Sequence, residues 1–206
     1  TIKDIKSYVP EAKSLGSSQV LKEPYSYQKA TLVLKEMAES LATDLKKRHL
    51  VSEHLTLYVG YDAININDPD LRERYTGEVK SDRYGREVPR FAHSSGHLEN
   101  PSSNSKDFIA LTLKIFEKIA DPKLYIRKLG LSAMDLKKQS DVRYETISLF
   151  DDVSEVLKDK KENDEVEKAM LKVKEKFGKN AIMRMRDLEK GATLLERNEQ
   201  IGGHHS

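Results

Sequence analysis

The 206 residues carry 36 Lys and Arg against 34 Asp and Glu, a net charge of +2, so any surface for a polyanion must come from local segregation of cations. With 37% hydrophobic residues, no tryptophan and no cysteine, the chain can bury a modest core, as one domain plus an appendage or two small domains, and has neither disulfides nor thiolate-ligated metal sites. No apolar run approaches the roughly 20 residues of a membrane span and no leader-like segment opens the chain, which points to a cytoplasmic protein without a membrane role. Thr1 is read as a processed N-terminus or an excised start.

Ser14 to Leu21 reads as a strand with a small polar face. Ser26 is placed to cap a helix reaching about Arg48, since Ala30, Leu34, Met37, Leu41 and Leu45 form one apolar stripe. Lys46-Lys47-Arg48 suits the negative end of its dipole. Leu55, Leu57, Val59 and Tyr61 then alternate with His54, Thr56, Tyr58 and Gly60, the pattern of a half-buried strand. Residues 62–75 are polar and Asn/Asp-rich and read as a loop. Residues 78–82 and 86–91 flank the turn Arg83-Tyr84-Gly85 as a hairpin, with Pro89 marking an edge or a bulge.

His93 to Asn104 reads as an irregular continuation of strand, and Ser105 as the cap of a second helix over about 106–120. Phe108, Leu111, Ile115 and Ile119 line that helix, and Asp121-Pro122 stops it. Leu129, Leu131 and Ala133 alternate with Lys128, Gly130 and Ser132 in a last strand. The order β-α-β-β-α-β gives an α+β fold class: a ferredoxin-like four-stranded sheet with two helices on one face, an elaborated hairpin between its second and third strands, and the other face free to bind.

From residue 137 the character changes. Lys137 to Glu145 is polar, and Thr146-Ile147-Ser148-Leu149-Phe150 is an apolar island. Residues 151–168 are dense in Asp, Glu and Lys, so Asp164-Glu165 and their neighbours read as a solvated helix face rather than a catalytic pair. Val166, Met170, Val173 and Phe177 recur at helical spacing, with Gly178 as a C-cap, and the chain closes on a flexible-looking segment, 200–206.

Three constellations suit phosphate, which accepts from N–H, hydroxyl and ammonium alike. The first is Lys13, Ser14, Gly16, Ser17 and Ser18, for which an ordinary edge strand is the other reading. The second is Arg83, Arg86, Arg90, His93, Ser94 and Ser95, then Ser102, Ser103, Asn104, Ser105 and Lys106 at a helix N-terminus that favours anions. A solvated hairpin with a good cap is its alternative. The third is Arg127-Lys128, which would extend a polar sheet face or simply be solvated. His93 and His97 have no third partner for a metal, and no glycine-rich phosphate loop, Ser/His/Asp set or Cys nucleophile is present.

Taken together, four stretches resemble the little-finger domain of Y-family translesion DNA polymerases, in the ImpB/MucB/SamB-like UV-damage-repair branch of Gram-positive bacteria. They are KSLGSSQVL (13–21), LVLKEMAESLATDLKKRHL (32–50), GEVKSDRYGREVP (77–89) and EKFGKNAIMRMRDLEKGATLLERNEQIGGHHS (175–206). The resemblance implies a module that lies along primer–template DNA and touches backbone phosphates through Lys13, Ser14, Gly16, Ser17, Ser18, Arg86, the Arg90–Ser95 stretch, Ser102 to Lys106, and Arg127-Lys128. It implies no cofactor in this chain, the Mg-binding carboxylates belonging to a palm expected before Thr1, so the chain itself is expected not to be an enzyme. It also implies a sliding-clamp peptide at Thr146, Ile147, Ser148, Leu149 and Phe150, with Thr146 standing where the family often has Gln. A segment that packs back on the domain is the other reading of that peptide.

The implied division is a tether at 1–12, a DNA-binding domain at 13–136, a linker at 137–160 and a helical or flexible extension at 161–206. The implied partners are primer–template DNA, the sliding clamp and the polymerase core. Two other functions stand beside this one: an adaptor whose main ligand is protein, and a stand-alone enzyme, which would need a carboxylate or His cluster that the sequence does not offer.

Overall fold

The computed structural model describes residues 13–142 and 153–199. In chain order its elements are β1 (Ser14–Tyr25), α1 (Tyr27–Lys47), β2 (Leu50–Tyr61), the short helices α2 (Ile64–Asn67) and α3 (Pro69–Arg74), and the hairpin β3 (Val79–Ser81) and β4 (Glu87–Pro89). There follow β5 (Ala92–Ser102), α4 (Ser105–Ile119), β6 (Ile126–Met134), β7 (Lys137–Lys138), α5 (Val153–Phe177) and α6 (Leu194–Glu199).

The main sheet is antiparallel in the order β1-β6-β2-β5, with β7 added to the start of β2. Each βαβ unit is therefore split. β1 and β2 run parallel with β6 between them, and β5 and β6 run parallel with β2 between them. The hairpin β3–β4 is a separate two-stranded sheet. Both α1 and α4 cover one face of the main sheet and pack on each other, with Tyr27 stacked on Phe116 at 4.5 Å. The core lies in that layer: Leu55, Leu57, Val59, Leu129, Leu131 and Ala133 from the central strands meet Leu34, Met37, Phe108 and Phe116.

Local chemistry accounts for the boundaries. Ser26 caps α1 by accepting from Lys29 N. The cap of α4 is Asn104 rather than Ser105: Asn104 keeps extended backbone while its Oδ1 accepts from Lys106 N at 2.9 Å. Residues 62–75 are not a plain loop. Asp68 Oδ1 accepts from Asp70 N and Leu71 N, with Pro69 at the first helical position, so this Asp-Pro starts α3. Buried Asn65 fixes α2 by donating to Asp62 O and Tyr125 O and accepting from Tyr125 N.

The regular pleat of β6 breaks at one point. Ile126 and Leu129 are both buried, with Arg127 and Lys128 between them outside the core, and the register shifts here against both neighbours.

The tail folds back over the helices. Arg184 Nε donates to Glu39 Oε1 at 2.7 Å, Arg186 also pairs with Glu39, and Lys22 meets Glu196 at 2.7 Å. Glu36, 1% exposed on α1, accepts from Thr193 N, Thr193 Oγ1 and Leu194 N and so anchors the start of α6.

Two predictions follow from these contacts. A Cβ on Gly16 would lie 2.8 Å from the Leu131 carbonyl oxygen and closer still to Ser132 Oγ. Gly16→Ala should therefore cost about 1–3 kcal/mol, as overpacking does; an unchanged urea midpoint would contradict so close an approach of β1 to β6. Burial raises the Glu36 carboxyl above its ordinary value of 4.5, the hydrogen bonds from Thr193 and Leu194 offsetting this only in part. A raised native pKa means that the contribution of Glu36 is complete below its unfolded pKa and is lost as pH rises through the native one. Glu36→Gln should thus gain stability relative to the parent as pH rises from the ordinary carboxylate range upward, read as paired urea titrations. A difference that does not grow with pH would contradict this.

Candidate nucleic-acid interface

Directly opposed residues of an antiparallel pair point to the same side of a sheet, so the register sorts the polar residues by face. On the side away from the helices, one row runs Gly16, Ser132, Thr56, Ser95. The next runs Ser18, Gly130, Tyr58, His93, followed by Val20, Lys128, Gly60. On the other flank lie Ser14, Met134, His54 and His97. The face carries hydroxyls, glycines, imidazoles and one lysine, with Val20 and Met134 as apolar members, and among the described strands its outer strand β1 pairs with β6 alone. Exposed Lys13 stands at the head of that strand.

This register divides the candidate residues. Ser14, Gly16, Ser18, His93, Ser95 and Lys128 come together on the free face. Ser17 opposes buried Leu131 and Ser94 opposes buried Leu57, so both side chains belong to the helix side. A run of adjacent strand residues cannot present every side chain to one surface, because the pleat alternates.

The arginines are engaged at the rim. Arg127 donates to Lys22 O at 3.0 Å and lies 3.7 Å from Asp62. Arg86 pairs with Asp82 at 2.7 Å, a hydrogen bond that raises the Arg86 pKa. Arg90 pairs with Glu78 at 2.9 Å, and Lys80, then Arg90, hold the Glu78 carboxyl below its ordinary value. The Arg90–Glu78 pair is largely exposed, and exposed pairs add little stability, whereas Asp82 is also held by Tyr84 N and Arg86 N in the turn. At the hairpin tip the guanidinium carbons of Arg83 and Arg86 lie 4.6 and 5.3 Å from the centre of the exposed Tyr84 ring.

The stretch Ser102 to Lys106 is differently placed. Ser102 Oγ donates to Asp107 and accepts from Asn104 N. Ser103, Asn104 and Ser105 are buried, and the anion position at the start of α4 is filled by α5. Ser105 N and Oγ donate to Glu167 Oε1, and Asn104 Nδ2 donates to Asp164 Oδ1 at 3.1 Å. Lys46 Nζ reaches Asp164 at 2.8 Å and Glu167 at 2.5 Å. Asp164 and Glu167 therefore do not form a solvated face as their charge pattern suggested; α5 turns them onto the domain.

Sequence reasoning missed an aromatic strip. Lys128 Nζ stands 5.6 Å over the Tyr58 ring, Tyr58 lies 5.1 Å from Phe91, and Phe91 lies 5.7 Å from His93. The outward alternation of Tyr58 was its available signal. His54 and His97 stack at 4.3 Å, with His54 Nδ1 2.8 Å from Asp135 Oδ2.

Among the described residues no group of three or more His, Cys, Asp or Glu side chains converges to hold a metal. Among the same residues no helix is long and apolar enough to cross a membrane. The tether at 1–12 and the peptide Thr146–Phe150 lie outside the described residues.

The description "impB/mucB/samB family C-terminal domain" matches residues 12–149. No curated protein gives a significant match. A solved structure titled "Complex of beta-clamp processivity factor and little finger domain of PolIV" is similar at 14% sequence identity and a TM-score of 0.39, over 66% of this chain and 98% of that one. The match over residues 12–149 spans more than half of the sequence, and the chain belongs to the impB/mucB/samB C-terminal domain family, the non-catalytic C-terminal region of Y-family DNA polymerases.

Proposed function

We propose that this chain holds duplex DNA by its backbone, as the gripping module of a translesion polymerase that acts in damage bypass and DNA repair. The observation that carries the reading is the free face of the sheet, where Ser14, Gly16, Ser18, Ser95, His93 and Lys128 stand in register with Thr56, Tyr58 and Ser132. Hydroxyls, small residues and one lysine suit phosphate oxygens and carry little base-reading chemistry. Lys13, Arg127 and, on exchange of Glu78, Arg90 supply charge at the rim. Ser17 and Ser94 then act through backbone N–H groups rather than side chains. In this reading catalysis and its Mg belong to a palm N-terminal of Thr1, residues 13–136 are the DNA-binding unit, and the protein works in the cytoplasm.

The peptide Thr146–Phe150 is proposed as a clamp-binding segment. Its anchors Ile147, Leu149 and Phe150 are the kind of apolar side chains that dominate binding in a hydrophobic cleft. An adaptor role, with protein as the main ligand, is the alternative.

Fluorescence anisotropy against a labelled primer–template duplex tests the reading. Binding should weaken steeply with salt, and the triple change Arg90→Glu, Arg127→Glu and Lys128→Glu should lower affinity by about tenfold or more while flattening the salt slope. Absence of binding at low salt would overturn the DNA reading. Leu149→Ala with Phe150→Ala should leave DNA affinity unchanged and abolish capture by a purified sliding clamp; loss of DNA affinity in that variant would contradict separate sites.

A further inference from the structure

The start of α4 offers the donors that bind a phosphate oxygen: a main-chain N–H, a hydroxyl, a carboxamide and the Lys46 ammonium. An anion already sits there. Glu167 accepts from Ser105 N and Oγ, from Asn163 Nδ2 at 2.8 Å and from Lys46, while Asp164 accepts from Asn104 and Lys46. Two carboxylates thus share one ammonium. A second observation concerns how α5 is held. Val166 and Phe177 are 52% and 67% exposed, while Met170, Leu171 and Val173 are half-buried. Among the described residues, the polar contacts of α5 with the domain are made by Asn163, Asp164 and Glu167. Ion pairs of this kind compete with other anions and weaken with salt.

We propose that α5 is an autoinhibitory latch, its Asp164 and Glu167 carboxylates occupying the place of DNA phosphate at the start of α4 and leaving it when duplex binds. This inference rests on the DNA-gripping reading and adds to it that Ser105, Asn104 and Lys46 become available only on release of α5. The acidic pair then sets a threshold: weak or sparse polyanions fail to displace it, whereas a duplex that presents several phosphates to Lys46, Asn104 and Ser105 can.

The full chain is titrated with labelled primer–template duplex alongside two variants of equal charge change. Asp164→Asn with Glu167→Gln removes the latch. Glu162→Gln with Glu165→Gln alters the exposed side of the same helix. The latch variant should bind at least about fivefold tighter, the lower end of the coupling expected between linked sites, and the control should change much less. Equal affinities across all three proteins, or equal gains in both variants, overturn the latch while leaving DNA binding intact. A parent chain and variants that all fail to bind overturn the DNA reading, and the latch with it. Hydrogen exchange on the unmodified chain decides the matter should the latch variant lose its fold: amide protection across α5 should fall when duplex saturates the protein, and unchanged protection with DNA bound overturns the latch.

Discussion

The insertion of β6 between β1 and β2 is the constraint on which the rest of the molecule depends. Until β6 arrives, β1 has no ladder partner among the described strands, and β2 has there only β5 and the short β7. The pairing of Gly16 with Ser132 joins residues more than half the chain apart in sequence. Such non-local contacts must overcome loop-closure entropy before they stabilise anything, so sheet and helix layer form together or not at all. The same insertion makes the polar face, because it brings the small residues of β1 beside Gly130 and Ser132 and the aromatic edge of β2 beside Lys128.

The two sides of the sheet are held by different physics. The helix side is an apolar layer in which Leu57, Leu129, Phe108 and Phe116 are almost wholly buried. Over that layer the tail is attached by charge and hydrogen bonds: Glu36 to Thr193, Glu39 to Arg184 and Arg186, and Lys46 to Asp164 and Glu167. Arg197 lies beside this set, and burial disfavours its charge more than the nearby Glu36 and Asp44 support it. The polar side of α1 is thus used to hold a second layer of chain. This leaves the opposite sheet face as the surface on which hydroxyls, glycines and a lysine stand in register.

Much of the fold was legible because it is local. The stripe Ala30-Leu34-Met37-Leu41-Leu45 and the alternation Leu55-Leu57-Val59-Tyr61 each report one buried surface with one period, and both are buried as expected. The Asn/Asp-rich run 62–75 was read by composition, which hid the helix start at Asp68-Pro69. The site was less legible. Ser14, Ser17 and Ser18 are equivalent as letters, and only the pairing of Ser17 with Leu131 separates them. The docking of α5 left no local trace, because Asp164 and Glu167 look paired with nearby lysines while their cation, Lys46, lies on another helix.

The irregularity at Arg127-Lys128 has a consequence for how charge can be packed on this surface. A regular pleat presents one side chain in two to each side, which caps the density of cations along any strand. By holding both Ile126 and Leu129 inward, β6 places two successive basic residues outside the core. The doublet is thus a product of residue count rather than of residue type. Deleting one of the two would restore even alternation and leave a single outward cation between Ile126 and Leu129, whereas exchanging Lys for Arg would leave the doublet intact. Spacing, more than chemistry, is what that strand end has to conserve.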